Sequence, residues 1–145
     1  LANPAIKHIK DTLNARVKFR EPFRPFAPSI LAEDVGEWFE YDHEAPYMLF
    51  VFDVKKEKRS QVPGITHVDG SGRLQSVDAA RNPRYHHLIS EFKKLTDIPM
   101  VINTSFNIKG EPIVNTPTDA IRCFLGNGMD CLVLGDFIIT KQAVC

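Results

Sequence analysis

Short amide and hydroxyl side chains crowd into one stretch in the last third of the sequence. Asn103, Thr104, Ser105 and Asn107 follow the apolar run 100–102, which has the pattern of a strand buried on both faces. Such side chains reach ligand oxygen atoms at little cost in conformational entropy, and successive amides of a turn can bind an anion. The same residues also suit a polar turn stabilised by its own side-chain hydrogen bonds. Ligand binding and a plain turn are therefore both open on this pattern alone.

A second stretch that could do chemistry lies near the start of the chain, where Lys18, Arg20 and Arg24 alternate with aromatic residues and prolines. The prolines exclude a regular helix, so we expect an extended segment with Lys18 and Arg20 on the same side. The phenylalanines of the segment are Phe19, Phe23 and Phe26. If they anchor the segment to a core, the cations form a rigid row that faces an anion. A solvated basic strip is the alternative.

The segment 66–77 has the alternation and the glycine-containing turn of a β-hairpin. In that hairpin Thr66, His67, Arg73 and Gln75 would share one face. A single histidine between strand residues is commonly a hydrogen-bonded structural residue, and it can also act as a base or contact a ligand. For His67 we favour ligand contact over proton transfer.

Caps and apolar periodicity predict the elements that must position these side chains. Helices are expected over 4–16, 29–39 with Trp38 in the core, 83–95, and from a cap at 116–119 to about 125; strands are expected over 47–54, 100–102, Cys131–Leu134 and Phe137–Thr140, with a charged turn at 55–60. Helices mixed with hairpin-like and crossover-like strands indicate an α/β fold with a mixed sheet.

Composition limits the classes of protein that fit. The chain has 145 residues, expected to form a single domain, and its 18 basic and 18 acidic residues give no overall field for nucleic acid or a membrane. No apolar run could span a bilayer, which favours the cytoplasm. Cys123, Cys131 and Cys145 lack the pairing of a zinc site and are interpreted as reduced thiols. The start without Met, already at a helix, suggests a piece of a longer polypeptide.

Five segments of the sequence, taken together and in order, resemble one family. They are residues 14–28, 66–70, 82–86, 103–107 and 110–113, which read NARVKFREPFRPFAP, THVDG, NPRYH, NTSFN and GEPI. The family is that of the O-carbamoyltransferases of the nodulation and antibiotic-tailoring type, and the resemblance is to their C-terminal domain. The resemblance covers nearly the whole chain.

The resemblance implies a YrdC-like fold, that is, a twisted mixed sheet flanked by helices. Residues 81–83 and 104–112 look like the R-x-P and T-S-A-N-x-S-G-x-P patterns of YrdC proteins, although Lys109 stands where those proteins carry Ser. The implied reaction forms carbamoyl-adenylate from ATP, with Mg²⁺, and carbamoyl phosphate. A Kae1-like N-terminal domain with a bound metal, which we expect to lie outside this chain, would pass the carbamoyl group to a hydroxyl acceptor.

The resemblance also implies roles for the residues singled out above. Adenylation concentrates negative charge on phosphates and requires cations directed at it. Catalytic roles are expected for Lys18, Arg24 and His67; binding of ATP or the carbamoyl group is expected for Arg20, Thr66, Arg73, Arg81, Asn103, Thr104, Ser105 and Asn107. No protein metal ligands are expected, because Mg²⁺ would accompany ATP. The alternatives are a non-catalytic nucleotide-binding or interaction module and an RNA-binding domain, the latter disfavoured by the zero net charge.

Overall fold

The computed structural model describes residues 1–141, so the predicted thiol at Cys145 lies outside the described residues. The helices are α1 (Ile9–Leu13), α2 (Val35–Trp38), α3 (Pro83–Thr96) and α4 (Pro117–Leu125). The strands are β1 (Ala27–Leu31), β2 (Phe52–Asp53), β3 (Ser71–Gly72), β4 (Gln75–Val77), β5 (Met100–Asn103), β6 (Cys131–Leu134) and β7 (Phe137–Thr140). The fold is α/β, as predicted.

The chain divides into two compact units. Unit 1 comprises residues 1–9 and 25–104, and unit 2 comprises residues 10–24 and the chain from Ser105 onward. No helix in the described part of the chain is both long enough and apolar enough to cross a membrane.

A three-stranded mixed sheet forms the centre of unit 1. Strand β1 lies between β4, to which it runs parallel, and β5, to which it runs antiparallel. Helix α3 covers the sheet through a cluster of buried apolar residues: Leu31, Val77, Ile89 and Val101, with Tyr85 and Phe92 packed against them. The predicted strand at 100–102 and the helix begun by Asn82 and Pro83 are confirmed.

The predicted helix over 29–39 is wrong in its first part. Residues 27–31 form the central strand β1, every residue of which is buried, and only Val35–Trp38 is α-helical, after a 3-10 turn at Ala32–Asp34. The apolar spacing of this stretch fits a helix, but hydrogen bonding to strands on both sides determines the outcome. Trp38 is in the core, as predicted, with 2% of its surface exposed.

Two further strand predictions are wrong. Within 47–54, only Phe52 and Asp53 form a strand, and Tyr47, Leu49 and Phe50 are each more than half exposed. The segment 66–77 is not a hairpin, because β3 pairs with β2 whereas β4 pairs with β1. The turn at 55–60 occurs as predicted.

The opening helix begins later than predicted. Asn3 accepts a hydrogen bond from the amide of Ala5, but this arrangement closes only a turn, and α1 starts at Ile9. The helix then continues as one turn of π-helix, Asn14–Lys18, which ends where Phe19 takes a left-handed conformation with φ 47°.

Unit 2 contains the elements that the sequence predicted most closely. Thr116 and Asp119 form a capping box at the start of α4, in which each side chain bonds the backbone amide of the other residue. Strands β6 and β7 form an antiparallel hairpin. The hydrophobic core of unit 2 consists of Ala120, Phe124 and Leu132, with Phe106, Val114, Met129, Leu134 and Ile139 packed against them.

Candidate functional site

Lys18 is the centre of the candidate site in unit 2. It is the last residue of the π-helical turn, and only 9% of its surface is exposed. Its Nζ donates to the carbonyl oxygen of Ser105 at 2.9 Å, to Ser105 Oγ at 3.1 Å and to Asn107 Oδ1 at 2.8 Å. The structure therefore brings together three residues of the two stretches that were singled out in the sequence.

Within residues 1–141, the ammonium group of Lys18 forms its hydrogen bonds to uncharged groups and not to a carboxylate. Burial lowers the pKa of Lys18, and the charge of Arg20 lowers it further. A buried cation with only dipolar partners attracts an anion, because a nearby negative charge offsets the cost of its desolvation.

The polar loop after β5 has its own hydrogen bonds. Ser105 Oγ donates to Asn107 Oδ1 at 2.8 Å, and Asn107 Nδ2 donates to the carbonyl of Glu111 at 2.8 Å. Phe106, between the two polar residues, packs against the α4–β6–β7 core. The loop is thus a structured turn, and its polar atoms are held next to the ammonium group of Lys18.

Asn14 organises the stretch 18–24 that carries Lys18, Arg20 and Arg24, called here the basic segment. The sequence analysis did not identify this role of Asn14. This residue is 1% exposed, and its Nδ2 donates to the carbonyls of Pro22 (3.2 Å) and Arg24 (3.1 Å). Its Oδ1 accepts from Arg20 Nε at 2.7 Å. A single buried amide therefore fixes the course of the loop that carries the arginines. The signal available in the sequence was a polar residue one turn before the basic run.

The basic segment differs from the extended row that was predicted. Because Phe19 is left-handed and Lys18 ends a helical turn, the alternation of an extended chain does not apply. Phe19 is 44% exposed and Phe23 is 82% exposed, so the expectation that they anchor the segment is wrong, whereas Phe26 is buried. Arg20 is half-buried and Arg24 is exposed. The charge of Arg24, after burial, lowers the pKa of Arg20.

Cys123 of α4 is buried in unit 2, close enough to Lys18 for their charges to interact. Burial raises the pKa of its thiol, which is therefore protonated at neutral pH. Cys123 and Cys131 are both free thiols, as predicted.

In unit 1, His67 belongs to a directed chain of hydrogen bonds. Ser71 Oγ donates to Asp69 Oδ1 at 2.6 Å, and His67 Nδ1 lies 3.1 Å from Ser71 Oγ. The Ser71 hydroxyl also lowers the pKa of Asp69. Because the hydroxyl proton is given to Asp69, His67 Nδ1 is the donor in its contact with Ser71 Oγ.

Thr66, Arg73 and Arg81, the next predicted site residues of unit 1, differ in their contacts. Thr66 Oγ1 donates to the carbonyl of Val62 at 2.9 Å, and Arg73 is exposed. Arg81 Nη2 pairs with Glu44 Oε2 at 2.7 Å, and this bond raises the pKa of the guanidinium. The charge of Arg81 is thus partly neutralised already.

At the end of β5, Asn103 Nδ2 donates to Gln75 Oε1 at 3.1 Å, and Thr104 is half-buried. Across residues 1–141, no group of three or more His, Cys, Asp or Glu side chains is arranged to bind a metal ion.

Comparison with known proteins assigns the family. The family model described as carbamoyltransferase C-terminus matches residues 1–141. The uncharacterized protein sll1178 of Synechocystis is 46% identical over 99% of this chain and 26% of its own length. Nodulation protein NolO of Bradyrhizobium diazoefficiens is 47% identical over 98% of this chain and 26% of its own length.

A third relative is the 3'-hydroxymethylcephem-O-carbamoyltransferase of Amycolatopsis lactamdurans, which is 38% identical over 94% of this chain and 26% of its own length. The chain spans about a quarter of the length of these relatives. The resemblance that the sequence motifs carried is confirmed: the chain belongs to the O-carbamoyltransferase family and corresponds to its C-terminal domain.

Proposed function

We propose that this chain binds ATP and carbamoyl phosphate and forms carbamoyl-adenylate for the carbamoylation of a hydroxyl acceptor. The observation that carries the proposal is the buried ammonium group of Lys18, whose hydrogen-bond acceptors in the described part of the chain are neutral oxygen atoms of Ser105 and Asn107. A phosphate oxygen placed beside this group would supply a negative charge that these neutral acceptors do not. Membership of a carbamoyltransferase family supplies the chemical context.

The reaction requires an oxygen nucleophile on the carbamoyl group. Carbamoyl phosphate provides one when water cleaves its bond to phosphate, which releases inorganic phosphate and leaves carbamate. An oxygen of carbamate then attacks the α-phosphorus of ATP, and pyrophosphate leaves with the electron pair of the broken P–O bond. The protein needs no nucleophile of its own for these steps, but it must stabilise charge on the phosphates.

The residues of unit 2 suit this task by type. Lys18 acts as a point charge towards a phosphate oxygen, while Arg20 and Arg24 can each hold phosphate through two parallel hydrogen bonds. Ser105 Oγ and Asn107 provide short neutral contacts beside Lys18. Mg²⁺ arrives with ATP, because this set of residues contains no carboxylate that would hold it independently.

The residues of unit 1 are assigned their roles in the proposed reaction from the hydrogen-bonding groups and charges of their side chains. His67, whose ring is held at Nδ1 by Ser71, is assigned to contact with the carbamoyl group, with Thr66 as its neighbour in sequence. Arg73, Arg81, Asn103 and Thr104 complete the proposed set of binding residues. We assign the reaction to the cytoplasm, where ATP and carbamoyl phosphate are available.

The acceptor is proposed to be carbamoylated elsewhere in a longer polypeptide. The chain matches about a quarter of each relative, so a Kae1-like N-terminal domain is the proposed partner that takes the carbamoyl group from the adenylate. The name of one relative, a 3'-hydroxymethylcephem-O-carbamoyltransferase, supports an oxygen atom as the acceptor.

A second candidate is a nucleotide-binding module without catalysis. The observation in its favour is that all three ammonium hydrogens of Lys18 already have acceptors, so the residue can serve simply to hold the 105–107 loop. In that case the site binds nucleotide but does not activate carbamoyl phosphate.

Calorimetry followed by a pyrophosphate assay separates the two candidates. We expect ATP with Mg²⁺ to bind the chain, and carbamoyl phosphate with ATP to release pyrophosphate. Arg24→Ala should reduce pyrophosphate release strongly, whereas Arg16→Ala, an exposed arginine of the same unit, should not. Binding of ATP without pyrophosphate release supports the module, and failure of every nucleotide to bind refutes both candidates.

A further inference from the structure

A directed hydrogen-bond network in unit 1 centres on Gln75, at the start of β4. Gln75 Oε1 accepts from Ser29 Oγ at 2.7 Å and from Asn103 Nδ2 at 3.1 Å. Gln75 Nε2 donates to the carbonyl of Pro46 at 3.1 Å. The three side chains belong to neighbouring strands of the mixed sheet, in which Ser29 pairs directly with Gln75.

The carbonyl of Pro46 fixes the orientation of every amide in this network. A carbonyl oxygen can only accept, so Gln75 must present its amino group to Pro46 and its oxygen to the other side. That oxygen can only accept as well, so Asn103 must present Nδ2 to it. The amide of Asn103 is therefore held with its own oxygen, Oδ1, directed away from Gln75.

The oxygen of Asn103 remains available as an acceptor. Among residues 1–141, no donor is found for Asn103 Oδ1, and the residue is half-buried at the end of β5. An amide that was free to rotate could present either oxygen or nitrogen to a ligand, but one held by Gln75 presents oxygen.

We propose that Gln75 is a positioning residue, which holds Asn103 so that its Oδ1 accepts a hydrogen bond from an N–H₂ group of the ligand. This inference rests on the proposed function, since carbamoyl phosphate and the adenine of ATP each carry such a group. It adds a rule of specificity: a ligand with oxygen or methyl in place of that amino group is disfavoured, because it leaves Asn103 Oδ1 without a donor.

Two ligand pairs test this rule and identify the source of the amino group. ATP and ITP differ at the 6-amino group, which is an oxygen in ITP, and carbamoyl phosphate and acetyl phosphate differ by amino against methyl. One partly buried hydrogen bond is expected to make the amino ligand of one pair bind about five- to tenfold more tightly. The quantity to compare is the ratio of the two dissociation constants within a pair, because a general structural defect weakens the binding of both ligands equally.

The experiment measures both ratios by calorimetry in the wild-type chain, in Gln75→Met and in Asn103→Ala. Methionine keeps the length of the side chain but releases the amide of Asn103, so the ratio should fall to about one in both variants. Gln61→Met, a glutamine on the surface of the same unit, should keep the wild-type ratio. Asn103→Ala, at a half-buried position, preserves the test if Gln75→Met does not fold.

The outcomes are distinct for the inference and for the proposed function. A ratio of about one for both pairs in the wild type, with ATP still bound, overturns the inference and leaves the proposed function intact. A wild-type ratio retained in Gln75→Met overturns the positioning role. Failure of ATP and carbamoyl phosphate to bind at all overturns both.

Discussion

Replacement of Lys18 by methionine tests the candidate site most directly. Methionine has a similar length and suits a position that is 9% exposed, but it removes the charge and all three hydrogen bonds to Ser105 and Asn107. We expect Lys18→Met to weaken ATP binding while the fold of the chain persists.

The magnitude follows from the bonds that are exchanged. A hydrogen bond between the ammonium group and a charged phosphate oxygen contributes about 3 kcal/mol at the upper end of the usual range. Lys18 must release one neutral acceptor to form it, which costs about 1 kcal/mol. The net loss in Lys18→Met is therefore about 2 kcal/mol, or roughly 30-fold in Kd.

The assay is calorimetric titration of Mg²⁺-ATP into both proteins, with urea unfolding to confirm that the variant is folded. Lys109→Met is the matched control, because Lys109 is an exposed lysine of unit 2 close to the same loop, and we expect a loss of less than about threefold. An ATP affinity in Lys18→Met within threefold of wild type would refute the reasoning. Equal losses in both variants would indicate a diffuse effect of charge and no specific contact.

Four further predictions follow from unit 2. Because the pKa of Lys18 in the folded chain lies below its unfolded value, the unfolded chain binds more protons at alkaline pH, and stability should rise with pH through that window. A bound phosphate would raise the pKa of Lys18 again, so ATP binding at alkaline pH should be accompanied by proton uptake. Calorimetry in buffers of different ionisation enthalpy measures this uptake. Proton uptake that persists in Lys18→Met would contradict the assignment of the proton to Lys18. Asn14→Ala should lower the free energy of unfolding by about 2 kcal/mol in urea titrations, since it removes three hydrogen bonds of the basic loop, and the exposed Asn115→Ala serves as its control. Thr116→Ala should cost about 1 kcal/mol through loss of the capping box, as measured by thermal unfolding, whereas Thr118→Ala should cost much less; equal effects would exclude capping as the cause.

The elements predicted correctly are those with signals close together in sequence. Helices α3 and α4 have a capping residue followed by proline, and β6 and β7 are joined by a short turn that contains Gly135 with φ 60°. Strand β1 has no such signal. It is a strand because β4 and β5, both more than 40 residues away, bond to its two edges.

The same distinction applies to the candidate site. The meeting of Lys18 with Ser105 and Asn107 was predictable because cations and short polar side chains suit the same anion. The role of Asn14 was not predictable, because it depends on the positions of the backbone carbonyl groups of Pro22 and Arg24, which cannot be read from the pattern of side chains. Gln75 was noticed as a polar strand residue, but its orienting role depends on the carbonyl of Pro46. Whether the predicted residues act on ATP stays a prediction.

The π-helical turn that ends in Lys18 gives this segment one place where a change of length can be absorbed. In α1 each residue turns the chain by about 100°, so the loss of one residue there would swing the ammonium group of Lys18 to another side of the helix, whereas a loss within Asn14–Lys18 can be taken up by conversion of the π-helical turn to an α-helical one. The exposed positions of that stretch, such as Ala15 and Arg16, should accept many side chains. We therefore expect the identity of the surface residues to vary freely, the number of residues in α1 to be fixed, and a change of length to be tolerated best within the π-helical turn.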